Sequence, residues 1–404
     1  MKILVINTGS SSIKYQLFNM DDQKVLCSGV VEKIGEDHGH LSHKIMKDNG
    51  APVIKEFTGD INDHKTGFKH IVDFLINEEF GVIRERSEIT AVGHRVVHGG
   101  ETFKAPVMIN EEVIETITKN IPLAPLHNPS NLTGIEVALS AFPDSKQVAI
   151  FDTAFHQSIP PYAFLYALPY ELYEKEKVRR YGFHGTSHAY TSEKCAEYLN
   201  KPLDQLNMLT VHLGNGASIA AIKNGKCVDT TMGMTPLEGL VMGTRTGDID
   251  PAIPFFLANH MHMTLEEIDA LLNKESGMKG ICGENDMREV FSKLENGDKR
   301  AKLALEVYNY RIKKYIGAYY AILGGLDAIV FTAGIGEHSP EIRKDSCSGL
   351  DHMGIVLDDE KNDSYKSGIS EISADESRVK ILVIPTNEEL RIAQETKKII
   401  DGIL

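Results

Sequence analysis

Two segments, one at the start of the chain and one near its middle, follow a plan that few folds accommodate: a continuous apolar strand, a glycine-rich polar turn and a second strand. The first reads KILVIN (Lys2 to Asn7), TGSSS and IKYQLF, and the second reads MLTVHL (Met208 to Leu213), GNGAS and IAAI. Laid side by side without a gap, Val5 falls on Val211, Ser12 on Ser218 and Ile13 on Ile219. After the second pair, Asn224 and Gly225 signal a tight hairpin into KCVDT. Apolar runs that do not alternate belong to strands covered on both faces, so helices must pack on each side. Helical patterns over Phe68 to Glu79, Glu111 to Asn120 and Lys302 to Leu323 supply them. The expected fold is therefore α/β and internally duplicated.

Further strands are expected in AVGHRVVHGG, in KQVAIF ending at Asp152, in DAIVFT and in VKILVIP. The stretch IPLAPLHNP, Ile121 to Pro129, carries three prolines and reads as a surface or cleft loop, as does HQSIPPYAFLYALP. The domain boundary is placed near that second loop, giving residues 1–151 with 388–404 as one domain and 152–387 as the other.

Charge and cysteine content narrow the function. Lys and Arg number 43 against 57 Asp and Glu, a net charge of −14, which speaks against nucleic acid or an anionic membrane as the main partner. Five scattered cysteines (Cys27, Cys195, Cys227, Cys282, Cys347) form no C-x-x-C pair, and neither a secretory leader nor a spanning segment is visible. A reduced, cytoplasmic setting is expected.

Several motifs point to anion chemistry. In N-x-G-S-S-S-x-K, Asn7 to Lys14, small residues let backbone N–H groups approach an anion while hydroxyls and a lysine add donors and charge. H-L-G-N-G, His212 to Gly216, repeats that arrangement at the equivalent turn, and a third glycine loop follows a strand at Gly334, Ile335 and Gly336. Two such turns in related domains would face each other across a cleft, one for each end of a polyphosphate. Arg95 in HRVVHGG and Arg245 in GTRTGDIDP are crowded by glycine, and their planar forks match carboxylate and phosphate oxygens. No Walker A sequence and no G-x-G-x-x-G opening a βαβ unit occurs. The pairs His94/His98 and His184/His188 have metal-ligand spacing but lie outside helix-forming sequence, so zinc is not expected. Asp152 is either a functional group at a strand end or a helix cap, and Thr386 with Glu389 has the form of a capping box around Glu388.

Taken in order, VINTGSSSIKYQLF, GHRVVHGG, LAPLHNP, FDTAFH, RRYGFHGTSH, HLGNGAS, GTRTGDIDP, FTAGIGE and PTNEE resemble the acetate and butyrate kinase family over essentially the whole chain. That resemblance implies two duplicated actin-like, ribonuclease H-like domains with ATP in the interdomain cleft, and reversible Mg·ATP-dependent phosphorylation of acetate to acetyl phosphate with release of ADP. Propionate or butyrate is the nearest alternative acceptor, and an actin-like ATPase without a carboxylate substrate is a remote one. The resemblance also implies that Asn7 and Glu388 hold Mg²⁺, with Mn²⁺ able to substitute, and that Lys14 serves the nucleotide phosphates. His212, Leu213, Gly214, Asn215 and Gly216, with Asp286, Met287 and Arg288 and with Gly334, Ile335, Gly336, Glu337 and His338, would line the ATP site. Arg95 and Arg245 would hold substrate carboxylate and transferring phosphoryl, with His184 stabilising its charge and Asp152 beside the reaction centre. Val97, Leu126, Phe183 and Pro236 would surround the acyl methyl. His338 stands where the family's third loop often has Asn. A homodimer is implied as well.

Overall fold

The computed structural model describes residues 1–47, 50–125 and 127–402. The chain divides into two compact units, Met1–Ala154 with Asn387–Leu404, and Phe155–Thr386.

Unit 1 is built on strands β1 (Lys2–Thr8), β2 (Ser12–Asn19), β3 (Lys24–Glu32), β4 (Gly39–Ile45), β5 (Val53–Gly59), β6 (Ile89–Val96), β7 (Val107–Met108) and β8 (Lys146–Phe151), in the order β5-β4-β3-β2-β1-β6-β8-β7. β1 runs antiparallel to β2 but parallel to β6, which is parallel to β8. Unit 2 carries β9 (Asn207–Leu213), β10 (Ala217–Lys223), β11 (Lys226–Thr230), β12 (Ala328–Thr332), β13 (Ser370–Glu371) and β14 (Lys380–Val383), in the order β11-β10-β9-β12-β14-β13. Here β9 is antiparallel to β10 and parallel to β12, which is parallel to β14. The two units therefore share one topology, an antiparallel three-strand meander whose first strand is extended by two parallel strands. Duplication is visible in the strand order itself.

The residue-by-residue match across the duplication is different from the ungapped one. Val5 pairs with Gln16, whereas Val211 pairs with Ile219. If Val211 is the counterpart of Val5, the counterpart of Ile219 is Gln16 rather than Ile13. The turns also differ: Gly9 to Ser12 separate the last pair Thr8 and Ile13, but only Gly214 to Gly216 separate Leu213 and Ala217. The likeness is one of plan, and the turns were shaped separately. The hairpin at Asn224 and Gly225 forms as expected, both residues having positive φ (50° and 76°).

Strand β1 is apolar without alternation because both of its faces are covered. Leu4 and Ile6 pack with Phe68, Ile71 and Leu75 of the helix His64–Leu75 and with Ala138 of the helix Asn128–Ala141. Ile3 and Val5 pack on the other face with Ile392 and Ala393 of the C-terminal helix Glu388–Ile400. That helix lies close against β6 at Gly93, where a Cβ would come within 2.8 Å of Ile392 Cγ2.

Three loop assignments are corrected. Ile121–Leu123 is a 3-10 turn, and Asn128 and Pro129 already belong to the helix Asn128–Ala141, because proline is tolerated in a first turn, where its missing N–H would go unused. Within HQSIPPYAFLYALP, Pro161–Phe164 is a short helix, again with proline in its first turn. The third glycine loop is a helical turn, Ala333–His338, entered through Ala333 at φ 64°.

Candidate active site

In unit 1 the parallel strands β1, β6 and β8 end side by side, and open sheets present functional groups beyond such carboxyl ends. Arg95 lies one residue before the end of β6, and Asp152 directly follows β8, its N–H donating to Val96 O at 3.0 Å. Arg95 donates from Nε (3.0 Å) and Nη2 (2.6 Å) to Asp152 Oδ2, so Asp152 engages a guanidinium at the strand end. Glu388 Oε2 lies 3.8 Å from Arg95 Nε. Burial alone would lower the Arg95 guanidinium, but Asp152 and Glu388 outweigh it and hold it above its ordinary value. Burial likewise raises the Glu388 carboxyl, against the pull of Arg95 and with the repulsion of Asp152 adding to it.

Glu388 opens its helix, where the positive end of the helix dipole favours an acid. The cap is Asn387, whose side chain accepts from Leu390 N–H, and not the Thr386/Glu389 box that the spacing suggests. Asn7 and Lys14 face each other across the β1–β2 hairpin, the Lys14 side chain exposed beside a groove that Glu389 also lines.

Two asparagines missed in the sequence lock these strand ends. Asn131 donates to Thr8 O (3.0 Å) and accepts from Val97 N–H (3.0 Å), tying β1 to β6. Asn128 donates to His98 O (3.1 Å) and accepts from His98 N–H (3.2 Å). Val97, nearly buried, thus has a fixed backbone. Leu126 lies outside the described residues. His94 donates to Gln147 Oε1 at 2.7 Å in the sheet interior, and burial holds its pKa down at about 4.

In unit 2, His184 stands just before the helix Gly185–Leu199 in the left-handed region (φ 57°), which few non-glycine residues adopt. Its ring stacks on His212 (centroids 4.2 Å apart), and its Nδ1 is 2.9 Å from Ser218 Oγ. Arg245 donates from Nη1 to Pro236 O at 3.3 Å. Among the described residues no carboxylate lies within ion-pair distance of Arg245, and burial lowers its pKa. A Cβ on Gly216 would stand 3.5 Å from both Arg245 Nη1 and His184 Nε2. Glycine at that turn leaves the space beside both groups open.

A cavity of about 700 Å³ in the same unit is lined by Gly214, Asn215, Asp286, Met287, Arg288, Gly334, Ile335 and His338, joined by Asn285, Phe291, Ser339, Pro340 and Glu341. Asp286 caps the helix Met287–Glu295 and pairs with Arg288 at 2.5 Å. His212, Leu213, Gly216, Gly336 and Glu337 do not line this cavity. Leu213 is a core residue, and Gly336 O and Glu337 O accept from the buried Arg343. Phe183 is buried, its carbonyl accepting from His156 Nε2 at 2.8 Å. Asn7, Lys14, Arg95, Val97, Asp152 and Glu388 belong to unit 1, and the other predicted site residues described belong to unit 2.

Glycine turns, a cavity large enough for a nucleoside and a guanidinium waiting for an anion are the equipment of a phosphotransferase. The chain belongs to the acetokinase family, whose model matches residues 2–394. It is 56% identical over 402 residues to an acetate kinase of Nitratidesulfovibrio vulgaris, with all of both chains covered. Among solved structures it is similar to acetate kinase of Porphyromonas gingivalis (46% identity, TM-score 0.93, 99% of each chain). It is also similar to a propionate kinase of Francisella tularensis (44%, TM-score 0.91, 98% of this chain and 99% of that one).

Proposed function

We propose that the chain transfers the γ-phosphoryl group of ATP directly and reversibly to acetate, giving acetyl phosphate and ADP. The observation that carries this reading is Arg245, a half-buried guanidinium with no carboxylate partner among the described residues, beside His184 and the bare Gly216. A cation in that state gains most from an arriving anion.

Acetate is ionised at neutral pH and needs no general base before its oxygen attacks. Asp152 accordingly serves as the partner that orients Arg95, not as a proton acceptor. Arg95 and Arg245 hold the carboxylate and the transferring phosphoryl, His184 adds a hydrogen bond to the developing charge, and Lys14 serves the nucleotide phosphates. Catalysis of this kind is positioning and electrostatics. The 700 Å³ cavity receives the nucleoside, with Gly214, Asn215, Asp286 to Arg288, Gly334, Ile335 and His338 around it.

Asn7 and Glu388 offer oxygen donors only, which suits Mg²⁺ or Mn²⁺, and among the described residues no cluster of three His, Cys, Asp or Glu forms a closed metal cage. Asn7 and Glu388 would hold the cation, which when bound would neutralise phosphate charge. The family resemblance assigns the acyl methyl to Val97, Leu126, Phe183 and Pro236, and a β-branched residue such as Val97 favours the smallest acid. Propionate is the second reading, supported by the likeness to a propionate kinase. A pocket separates acids one methylene apart by only about 1 to 3 kcal/mol.

Trapping the product as a hydroxamate, with Mg·ATP and acetate, propionate or butyrate, tests the reading. Acetate should give the highest kcat/KM; acyl phosphate from none of the three would overturn it. The setting proposed is the cytoplasm, in keeping with five buried free thiols. No helix among the described residues is long and apolar enough to cross a membrane. Dimerisation is proposed through the helix Ala252–Met261, which buries none of its residues and exposes Phe255 and Phe256.

A further inference from the structure

Behind His184 lies a buried chain of side chains that the reaction as described does not use. Thr210 Oγ1 is 2.7 Å from His188 Nδ1, His188 Nε2 is 2.8 Å from Ser218 Oγ, and Ser218 Oγ is 2.9 Å from His184 Nδ1. Thr210, His188 and Ser218 have no solvent exposure. The rings facing His188 are those of His156, His212 and His184, at 5.6, 6.1 and 6.4 Å, and burial next to them holds the His188 pKa well below the ordinary value, so the ring is neutral.

A neutral imidazole donates from one nitrogen and accepts at the other, and a hydroxyl carries one hydrogen. The chain therefore runs in one of two directions, because both rings donating to Ser218 would leave the serine hydrogen buried without an acceptor. The Thr210 hydroxyl makes its one side-chain hydrogen bond with His188. If His188 Nδ1–H donated to Thr210, the Thr210 hydrogen would be left inside the core without an acceptor, an arrangement buried polar groups avoid. In the other direction every hydrogen is used: Thr210 donates to His188 Nδ1, His188 donates from Nε2 to Ser218, and Ser218 donates to His184 Nδ1. His184 must then carry its own proton on Nε2, the nitrogen 3.5 Å from the Cβ position of Gly216, where Arg245 also reaches.

We propose that Thr210, His188 and Ser218 are positioning residues that hold His184 in the Nε2–H tautomer, so that it meets the transferring phosphoryl as a neutral hydrogen-bond donor rather than with a bare lone pair. This rests on the reading of His184 as a group that stabilises the phosphoryl. The neutral form suits a site in which Arg245 already brings uncompensated positive charge. The opposite tautomer would turn a lone pair toward phosphate oxygens.

The tautomer and the kinetics are tested separately. In full-length protein labelled with ¹⁵N-histidine, with the His184 signals assigned by their loss in His184→Ala, the wild type should show protonated Nε2 and unprotonated Nδ1. Ser218→Ala should give a mixture of tautomers. Its kcat should fall roughly 10- to 100-fold, the usual scale for losing a group that orients a reacting one, with KM for ATP little changed. Ser218→Thr keeps the hydroxyl and should restore both readouts. In a His184→Ala background, Ser218→Ala should cost nothing more, because it acts only through the histidine. A wild-type His184 protonated on Nδ1, an unchanged Ser218→Ala kcat, or a further loss in the double variant would each overturn the proposal. If His184→Ala itself retained full activity, the reading of His184 would fail, while the NMR result would still decide the tautomer.

Discussion

Arg95 and Arg245 are the same residue type in glycine-crowded sequence, yet the two units treat them oppositely. Arg95 is gripped by Asp152 at 2.6 Å and neighboured by Glu388, whereas Arg245 has a carbonyl and, among the described residues, no carboxylate. The first is compensated before any ligand arrives and is held in place by its partner. The second carries a desolvation cost that an arriving anion relieves. One guanidinium is oriented by its environment and the other is left wanting a ligand, so their removal should have different consequences.

The largest effect is expected for Arg245→Ala. Turnover in the hydroxamate assay should fall by about 10³-fold or more, the scale of an arginine that meets phosphoryl charge in the transition state. Next comes Asp152→Asn, which leaves Arg95 charged but no longer clamped. A loss of about 100-fold in kcat is expected, with KM for ATP little altered, because misplacement by about 1 Å costs that much. A loss confined to KM would mean that Asp152 only helps binding.

Acid sharpens the contrast at the level of stability. His94, buried on β6 next to Arg95, has its pKa held down at about 4, so the folded state binds fewer protons than the unfolded one between that value and about 6.5. Its contribution is complete above pH 6.5 and is lost as the pH falls toward 4, the loss amounting to about 2 kcal/mol at pH 5. Urea unfolding at pH 7 and pH 5 should show this drop, and His94→Gln should flatten it. The smallest effect is expected for Gly216→Ala, whose methyl would contact both His184 and Arg245; a loss of about 10-fold in kcat, with no loss of stability, is anticipated.

What could be read from the sequence follows from what each residue does locally. The unalternating runs of β1, β9 and β12 announce strands covered on both faces, and the two hairpins announce the duplication. Their exact correspondence is hidden because turns of different length alter strand pairing without altering the apolar pattern. Gly214, Asn215 and Gly334 are recognisable since glycine turns and polar tips stand out. Asn128 is not, because prolines on both sides give that stretch the look of a loop, and Asn131 follows directly on it. Ser218 is invisible for another reason: a small polar residue in an apolar strand looks like filler until the hydrogen bonds to His184 and His188 are seen. The Arg95–Asp152 pair joins the ends of β6 and β8, far apart in the chain, and only the parallel register brings them together.

Urea unfolding of Arg95→Ala and Arg245→Ala, measured side by side at pH 7, tests the contrast most directly. Arg95→Ala should lose about 3 kcal/mol, because Asp152 is left as a buried carboxylate with Glu388 near it. Arg245→Ala should remain within about 1 kcal/mol of the wild type while losing turnover, since its removal strands no partner charge. Equal destabilisation of the two variants, or a larger loss for Arg245→Ala, would contradict the account.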